Sequence, residues 1–213
     1  VNHIEHAAIT AVAICSVVPH WDYTIQHTFN RYFRKAQYFV LQVGVKTGLN
    51  VKTKQPAEVG ADRIANAIGA IHAFPDSHMI ILDLGTATTV CAITDKHDYL
   101  GGAILPGLRL GMESLKLNTA KLMEVNIEKP TMYLGRTTRE SIQIGLYYGM
   151  LGALREIIQG LKREVFHSAP TIVIGTGGFS HLYKDERLFN HILPDLVLAG
   201  LAKAYHLSLK MLA

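Results

Sequence analysis

The chain has 213 residues, 49% of them hydrophobic and 18% charged, a balance typical of a globular protein with a substantial core. No apolar run is long enough to span a membrane and the first residues do not resemble a secretory signal, so we predict a cytoplasmic protein without a membrane partner. The formal net charge of +4 comes from dispersed basic residues that are not interleaved with aromatic ones, which argues against a nucleic-acid partner and fits a small anionic substrate.

The cysteines and histidines do not predict a metal centre. Cys15 and Cys91 lie far apart in apolar runs and lack the spacing of metal ligands, so we expect both to be reduced core residues. The eleven histidines are scattered along the chain. His3 and His6 would share one face of a helix, but no third ligand is evident near them.

The first third of the chain alternates apolar runs with amphipathic ones. Residues 8–18 and 38–43 are predicted to be strands, because both runs are short, apolar and bounded by turn residues. Residues 21–35 place apolar side chains at helical spacing and predict a helix, and residues 57–74 predict another.

The helix predicted over residues 57–74 has Gly60, Ala61, Asp62 and Arg63 near its start. An aspartate in a first helical turn commonly interacts with the helix dipole, and an arginine beside it is commonly a solvated charge. The alternative interpretation is chemical: an acid and a base lie side by side, next to a glycine that leaves room for a substrate. The residues by themselves leave both interpretations open.

The central stretch of the chain is Asp83-Leu84-Gly85-Thr86-Ala87-Thr88-Thr89, between two short apolar runs that predict the strands of a β-hairpin. Gly85 lets the backbone approach a ligand, and the threonines add hydroxyl donors, so the tip is suited to phosphate oxygens. Asp83, at a strand end, is a candidate to hold a cation or its bound water. Alternatively, these side chains only satisfy the backbone of the turn.

The remainder of the chain continues the alternation of strands and helices. Helices are predicted over residues 108–123, 137–165 and 196–212, and a strand over 171–174. The α/β class follows from this order. We place a domain boundary near Pro75, with one domain over residues 1–76 and the second over 77–213.

Glycines mark three further places of interest. The adjacent Gly101 and Gly102 lie in a predicted strand and suggest close approach by a ligand or another backbone. Gly177 and Gly178 follow a strand, so that they and Gly85 would bracket a nucleotide. Neither turn matches the P-loop or the Rossmann fingerprint, which leaves a phosphoryl-transfer enzyme outside both classes. A spaced row in the long helix would permit tight packing, including a subunit contact: Gly145, Gly149 and Gly152.

Four motifs in this order make the chain similar to the type III pantothenate kinases. They are Gly60-Ala61-Asp62-Arg63, Asp83-x-Gly85-Thr86-Ala87-x-Thr89, Gly101-Gly102-x-Ile104-x-Pro106-Gly107 and Thr176-Gly177-Gly178. The resemblance implies an actin-like ATPase fold made of two ribonuclease-H-like halves, active as a homodimer. It also implies that ATP phosphorylates the terminal hydroxyl of pantothenate, the first step of coenzyme A biosynthesis.

The resemblance further implies roles for individual residues. Asp62 would be the general base and Arg63 would bind the pantothenate carboxylate, roles that suit these side chains. The rest of the pantothenate site would comprise Gly60, Ala61, Gly101, Gly102 and, from the partner subunit, Thr138. The phosphate loop would comprise Asp83, Gly85, Thr86 and Thr89, and the adenosine motif Gly177 and Gly178. The implied cofactors are ATP, Mg²⁺ near Asp83, and a monovalent cation such as K⁺ or NH₄⁺.

The sequence departs from the family pattern in three places. Family members begin with a strand carrying Asp-x-Gly-Asn-Thr, the first phosphate loop, which this sequence lacks, so we expect a first half that is incomplete at its N-terminal side and an impaired activity. Thr53 stands where relatives often have a tyrosine that contacts pantothenate. Cys91 stands where many relatives have an aspartate thought to bind the monovalent cation.

Two other functions stay open at this point. A non-catalytic family member would act as an accessory factor in transcription, although the presence of Asp62 and Arg63 argues against it. A different kinase of the actin-like superfamily would phosphorylate a sugar or acetate and would ignore pantothenate.

Overall fold

The structure is a computed structural model that describes Glu5 and residues 8–210. His3 and His6, considered above as metal ligands, lie outside the described residues. The chain divides into two compact units, one formed by the residues up to Pro75 together with those from Leu196 onward, and the other by Asp76–Asp195. Within the described range, no helix has the length and apolarity that a membrane span requires.

The first unit contains a parallel strand pair and two helices that pack on each other. Its elements, numbered along the whole chain, are β1 (Ala11–Ile14), α1 (Pro19–Tyr32), β2 (Gln37–Val40), β3 (Asn50–Val51), α2 (Ala61–Ala73) and α5 (Leu196–Lys210). Strands β1 and β2 pair in parallel and α1 connects them, which gives a β-α-β arrangement. A 3₁₀ turn over Pro56–Glu58 leads into α2.

Helices α2 and α5 pack with their backbones in close contact. A Cβ atom at Gly200 would overlap the carbonyl group of Ala65, and one at Gly69 would lie 2.7 Å from the carbonyl oxygen of Leu196. Ala65 and Ala70 on α2 are fully buried. The absence of side chains at the two glycines therefore allows this approach. The packing places α5 in the first unit, whereas the division drawn from the sequence grouped it with the second half.

The second unit is built on a mixed sheet with strand order β6-β5-β4-β7-β8. Its elements are β4 (His78–Leu84), β5 (Ala87–Ile93), β6 (Asp98–Pro106), α3 (Leu108–Asn118), α4 (Thr138–Glu164), β7 (Thr171–Thr176) and β8 (His191–Ile192). Strands β4, β5 and β6 are antiparallel neighbours, so the predicted hairpin is confirmed. Strand β7 pairs in parallel with β4, and β8 in parallel with β7, so β4, β7 and β8 run in the same direction.

Helix α4 packs against this sheet. The buried cluster that they share includes Ile80, Leu82, Tyr147, Leu151 and Leu154. The helix begins with a capping box, in which the Thr137 hydroxyl accepts from the Glu140 amide and the Glu140 carboxylate accepts from the Thr137 amide. This start was predicted to within one residue. The capping box fixes the position of Thr138, the first residue of the helix, whose side chain is exposed.

Candidate active site

The first unit places Asp62 and Arg63 in one ordered turn at the start of α2. Gly60 caps the helix, and Asp62 and Arg63 follow in its first turn. The Arg63 amide donates to Asp62 Oδ1 (2.7 Å), and the Arg63 guanidinium donates to the Glu58 carbonyl oxygen (3.1 Å). Asp62 Oδ2 accepts no hydrogen bond from the described residues. One carboxylate oxygen therefore stabilises the turn.

Gly60 lies close to the Asp62 carboxylate. A Cβ atom at residue 60 would lie 2.5 Å from Asp62 Oδ1, closer than two such atoms can approach. A glycine at this position avoids that overlap, while its predicted role, to leave room for a substrate, stays a prediction. A cavity of about 730 Å³ adjoins the same turn, but of the four predicted residues only Gly60 and Ala61 line it.

Cys15 is a neighbour of Asp62 that the sequence did not indicate. Burial raises the pKa of the Cys15 thiol, and the negative charge of Asp62 raises it further. Cys15 follows β1 and Asp62 begins α2, so no local pattern relates the two residues. Only the packing of the first unit brings them together.

In the second unit, Asp83 lies between threonines on the two neighbouring strands. It pairs with Thr89 on β5 and with Thr176 on β7. At the hairpin tip the Gly85 amide donates to the Ala87 carbonyl oxygen (3.2 Å), and Thr86 is exposed. The structure thus brings Asp83, Gly85, Thr86 and Thr89 together at one end of β4 and β5.

The loop after β7 closes directly over Asp83. Gly177 has a φ of +81°, and a Cβ atom there would overlap the Asp83 carboxylate and lie 2.7 Å from the Leu84 amide nitrogen. Two hydrogen bonds hold the loop. The Phe179 amide donates to the Leu84 carbonyl oxygen (3.1 Å), and the Ser180 hydroxyl donates to the Gly177 carbonyl oxygen (2.8 Å). Both glycine turns follow the carboxyl ends of adjacent parallel strands, where α/β sheets bind ligands.

Gly178 differs from Gly177 in its surroundings. It is exposed, and a Cβ atom at this position would have no neighbour within 4 Å. The predicted adenosine motif therefore consists of one glycine that the fold requires and one that borders open space. The side chain that secures the loop, Ser180, was missed because a lone serine after Gly178 carries no sequence signal.

The glycines of β6 have structural reasons of their own. Gly101 has a φ of +115° and lies at a β-bulge, where Leu100 is the extra residue. A Cβ atom at Gly102 would overlap the Val90 carbonyl group on β5. Gly107 was not predicted as a site residue, yet its amide donates to the Thr86 carbonyl oxygen (3.1 Å) and so ties the end of β6 to the hairpin tip. The Pro-Gly pair before α3 was the available signal.

Thr138 is exposed at the first position of α4. In the part of the chain that the structure describes, it makes no hydrogen bond with Gly101 or Gly102. The single chain therefore does not join Thr138 to these glycines. The preceding loop exposes three apolar or aromatic side chains by more than half: Met132, Tyr133 and Leu134.

The donor atoms near the two expected cation sites differ in kind. Asp83 supplies hard carboxylate oxygens at a phosphate-sized loop, which suits Mg²⁺, an ion usually held by one or two carboxylates, substrate phosphates and water. Cys91 is only 3% exposed, and its sulfur lies 3.2 Å from the Tyr99 hydroxyl. A buried thiol is a soft ligand and does not fit K⁺. Thr53, which stands where relatives often have a tyrosine, has a buried hydroxyl with no hydrogen-bond partner among the described residues.

Comparisons with known proteins agree on one family. The family model for type III pantothenate kinases matches residues 1–160. A type III pantothenate kinase of Legionella pneumophila (strain Corby) is 52% identical over 203 residues, which make up 95% of this chain and 79% of the relative. The type III pantothenate kinase 1 of Francisella tularensis subsp. holarctica (strain OSU18) is 47% identical over 193 residues, or 91% and 75% of the two chains.

A solved structure from Campylobacter jejuni, described as a Baf family transcriptional activator, shares the fold. Its TM-score is 0.63 with 18% identity, and the match covers 94% of this chain and 84% of that one. At this identity the likeness concerns the fold alone. The sequence relatives and the family model decide the assignment: the chain belongs to the type III pantothenate kinase family.

Proposed function

We propose that this protein transfers the γ-phosphoryl group of ATP to the terminal hydroxyl of pantothenate, giving 4'-phosphopantothenate and ADP in the first step of coenzyme A biosynthesis. Membership of the type III pantothenate kinase family carries this proposal. The two glycine turns around Asp83 support it, because they place backbone amides and hydroxyls beside a carboxylate, the combination that phosphoryl transfer needs for positioning and charge neutralisation. Since ATP is the donor, we place the reaction in the cytoplasm.

The acceptor chemistry is assigned to the turn at the start of α2. We propose that Asp62 takes the proton of the pantothenate hydroxyl on Oδ2, while Oδ1 keeps its bond from the Arg63 amide. Arg63 retains donors beyond the one directed at Glu58, and we assign them to the pantothenate carboxylate. Gly60 and Ala61 leave space for the substrate next to these groups.

The phosphate chemistry is assigned to the hairpin and the loop after β7. We propose that the backbone of Gly85 and the hydroxyls of Thr86 and Thr89 hold the phosphates, and that Gly177 and Gly178 lie against the adenosine. Asp83 would hold Mg²⁺, which when bound neutralises the charge that develops on the transferred phosphoryl group. Gly101 and Gly102 keep their proposed place beside pantothenate.

The monovalent cation is not assigned to Cys91. Many relatives have an aspartate at this position, whereas the buried Cys91 thiol faces the Tyr99 hydroxyl and offers no oxygen ligand. We therefore assign no role in the proposed reaction to K⁺ or NH₄⁺.

We also propose a homodimer that uses the exposed face of α4. Cβ atoms at Gly145, Gly149 and Gly152 would meet no neighbour within 4 Å, so this face has room for a second helix. The exposed side chains of Met132, Tyr133 and Leu134 precede the same helix and would add apolar contact area. In such a dimer, Thr138 would reach the pantothenate site of the partner.

A coupled assay of ADP release tests the proposed reaction. With ATP and Mg²⁺ present, pantothenate is expected to stimulate ADP release, while acetate and a simple sugar are not. Stimulation by acetate or sugar instead would identify a different kinase, and no stimulation by any acceptor would favour the non-catalytic alternative. The presence of Asp62 and Arg63 and the identity of the relatives favour the kinase.

A further inference from the structure

The Glu186 carboxylate interacts with three side chains, those of Lys129, Tyr147 and Arg155. It ends the 3₁₀ helix Ser180–Glu186, which follows the loop of Gly177 and Gly178. Its carboxylate accepts from Lys129 Nζ (2.7 Å) and from the Tyr147 hydroxyl (2.9 Å), and lies 3.4 Å from an Arg155 guanidinium nitrogen. The side chain is only 14% exposed. The bond from Lys129 holds the pKa of Glu186 below its ordinary value, so the carboxylate stays charged at neutral pH.

Aromatic packing joins the same two segments. The rings of Tyr147 on α4 and Tyr183 on the 3₁₀ helix stack with centroids 4.8 Å apart, and both side chains are fully buried. The Tyr183 hydroxyl donates to the Tyr147 carbonyl oxygen (3.2 Å), and Arg155 also donates to the backbone oxygen of Glu186 (3.1 Å). The 3₁₀ helix is thus fixed to α4 at its middle and at its end.

The other end of the 3₁₀ helix is fixed to the nucleotide loop. Ser180, its first residue, donates to the Gly177 carbonyl oxygen through both its amide (3.1 Å) and its hydroxyl (2.8 Å). Gly177 lies so close to Asp83 that a methyl group at residue 177 would overlap the Asp83 carboxylate. A displacement of the 3₁₀ helix would therefore move Gly177 relative to Asp83.

We propose that Glu186 is a positioning residue for nucleotide binding, which it affects by holding the 3₁₀ helix and hence the spacing of Gly177 and Asp83. This inference rests on the proposed function of the two glycine turns. Charge-assisted bonds within a mostly buried cluster are stronger than neutral ones, so the carboxylate is suited to the task. Glu186 lies at the opposite end of the 3₁₀ helix from the nucleotide loop, so its effect is expected on ATP and not on pantothenate.

Glu186→Gln is the test, because glutamine keeps the size of the side chain and removes the charge shared by Lys129 and Arg155. The KM for ATP and the Kd for a fluorescent ADP analogue are expected to rise about tenfold, the effect of weakening one charge-assisted bond, with the KM for pantothenate unchanged. The control is Glu156→Gln on α4, since Glu156 is 80% exposed and pairs loosely with Arg163 at 3.7 Å. The control is expected to bind nucleotide like the wild type.

Nucleotide affinity equal to the wild type in Glu186→Gln would overturn the inference, even if the melting temperature fell. A loss of affinity for both substrates together would also overturn it, because that result indicates general damage. If Glu186→Gln does not fold, Lys129→Met removes a half-exposed partner instead and is expected to change the same nucleotide Kd in the same direction. A wild type that binds ADP but does not phosphorylate pantothenate would refute the proposed function and leave this binding test valid.

Discussion

Gly177→Ala tests the geometry of the proposed nucleotide loop. Gly177 has a φ of +81°, a conformation that costs an alanine about 1–2 kcal/mol. The new methyl group would also overlap the Asp83 carboxylate and lie 2.7 Å from the Leu84 amide nitrogen. Leu84 belongs to the central strand β4, so its backbone cannot move aside without disturbing the sheet. Overpacking of this kind costs about 1–3 kcal/mol.

The two costs add to about 2–5 kcal/mol of lost unfolding free energy. For a chain of this size the melting temperature should fall by about 4–20 °C. The loop also carries the proposed adenosine contact, so the Kd for a fluorescent ADP analogue should rise at temperatures where the variant is still folded. Calorimetry and a fluorescence titration measure the two effects.

Gly178→Ala is the matched control. Its Cβ atom would have no neighbour within 4 Å, so the melting temperature should stay close to the wild-type value, with a change in stability within about 1 kcal/mol. If adenosine lies against Gly178, nucleotide affinity should still fall. A Gly177→Ala variant as stable as Gly178→Ala would refute the reasoning about the loop.

Three further expectations concern other parts of the chain. At pH 8 iodoacetamide should modify Cys15 more slowly than a free thiol, because the raised pKa of Cys15 keeps it protonated, and buried Cys91 should stay unmodified. Asp62→Asn should speed the modification of Cys15. If mass spectrometry finds the same Cys15 rate in the wild type and in Asp62→Asn, the proximity of the two residues is contradicted. Gly200→Ala should lower the unfolding free energy by about 2 kcal/mol or more in urea titrations, since its methyl would overlap the backbone of α2, and an unchanged midpoint would contradict that packing. Gly149→Ala should raise the helix propensity of α4 by about 1 kcal/mol but weaken the proposed dimer, and a dimer Kd in sedimentation equal to the wild type would argue against this interface.

The sequence was most informative where a local pattern sufficed. The hairpin around Asp83 was predicted from two short β-branched runs and a glycine turn, and the structure confirms it. The capped start of α4 was likewise a local signal. Helix α2 was predicted from residue 57 but begins at Ala61, because residues Pro56–Glu58 form a separate 3₁₀ turn. The alternation of strands and helices and membership of the family confirm the α/β class and the actin-like ATPase fold.

What the sequence did not reveal depends on contacts between distant segments. The packing of α5 on α2 needs Gly69 and Gly200 to face each other, and neither glycine has a local sign of its partner. The bonds around Glu186 likewise join segments that are far apart in the sequence. Helix α3 was predicted to run to residue 123 but ends at Asn118, because Asn118 and Thr119 turn their side chains back to carbonyl oxygens of the last turn.

The most direct measurement is the rate of 4'-phosphopantothenate formation by Asp62→Asn at saturating ATP, followed by mass spectrometry. Asparagine can keep the bond that Oδ1 accepts from the Arg63 amide, so the turn should survive while the proton acceptor is lost. Turnover is expected to fall by about 100- to 10,000-fold, with nucleotide Kd unchanged, whereas Asp76→Asn, at an exposed site, should behave like the wild type. Turnover near the wild-type rate in Asp62→Asn would contradict the assignment of Asp62 as the base.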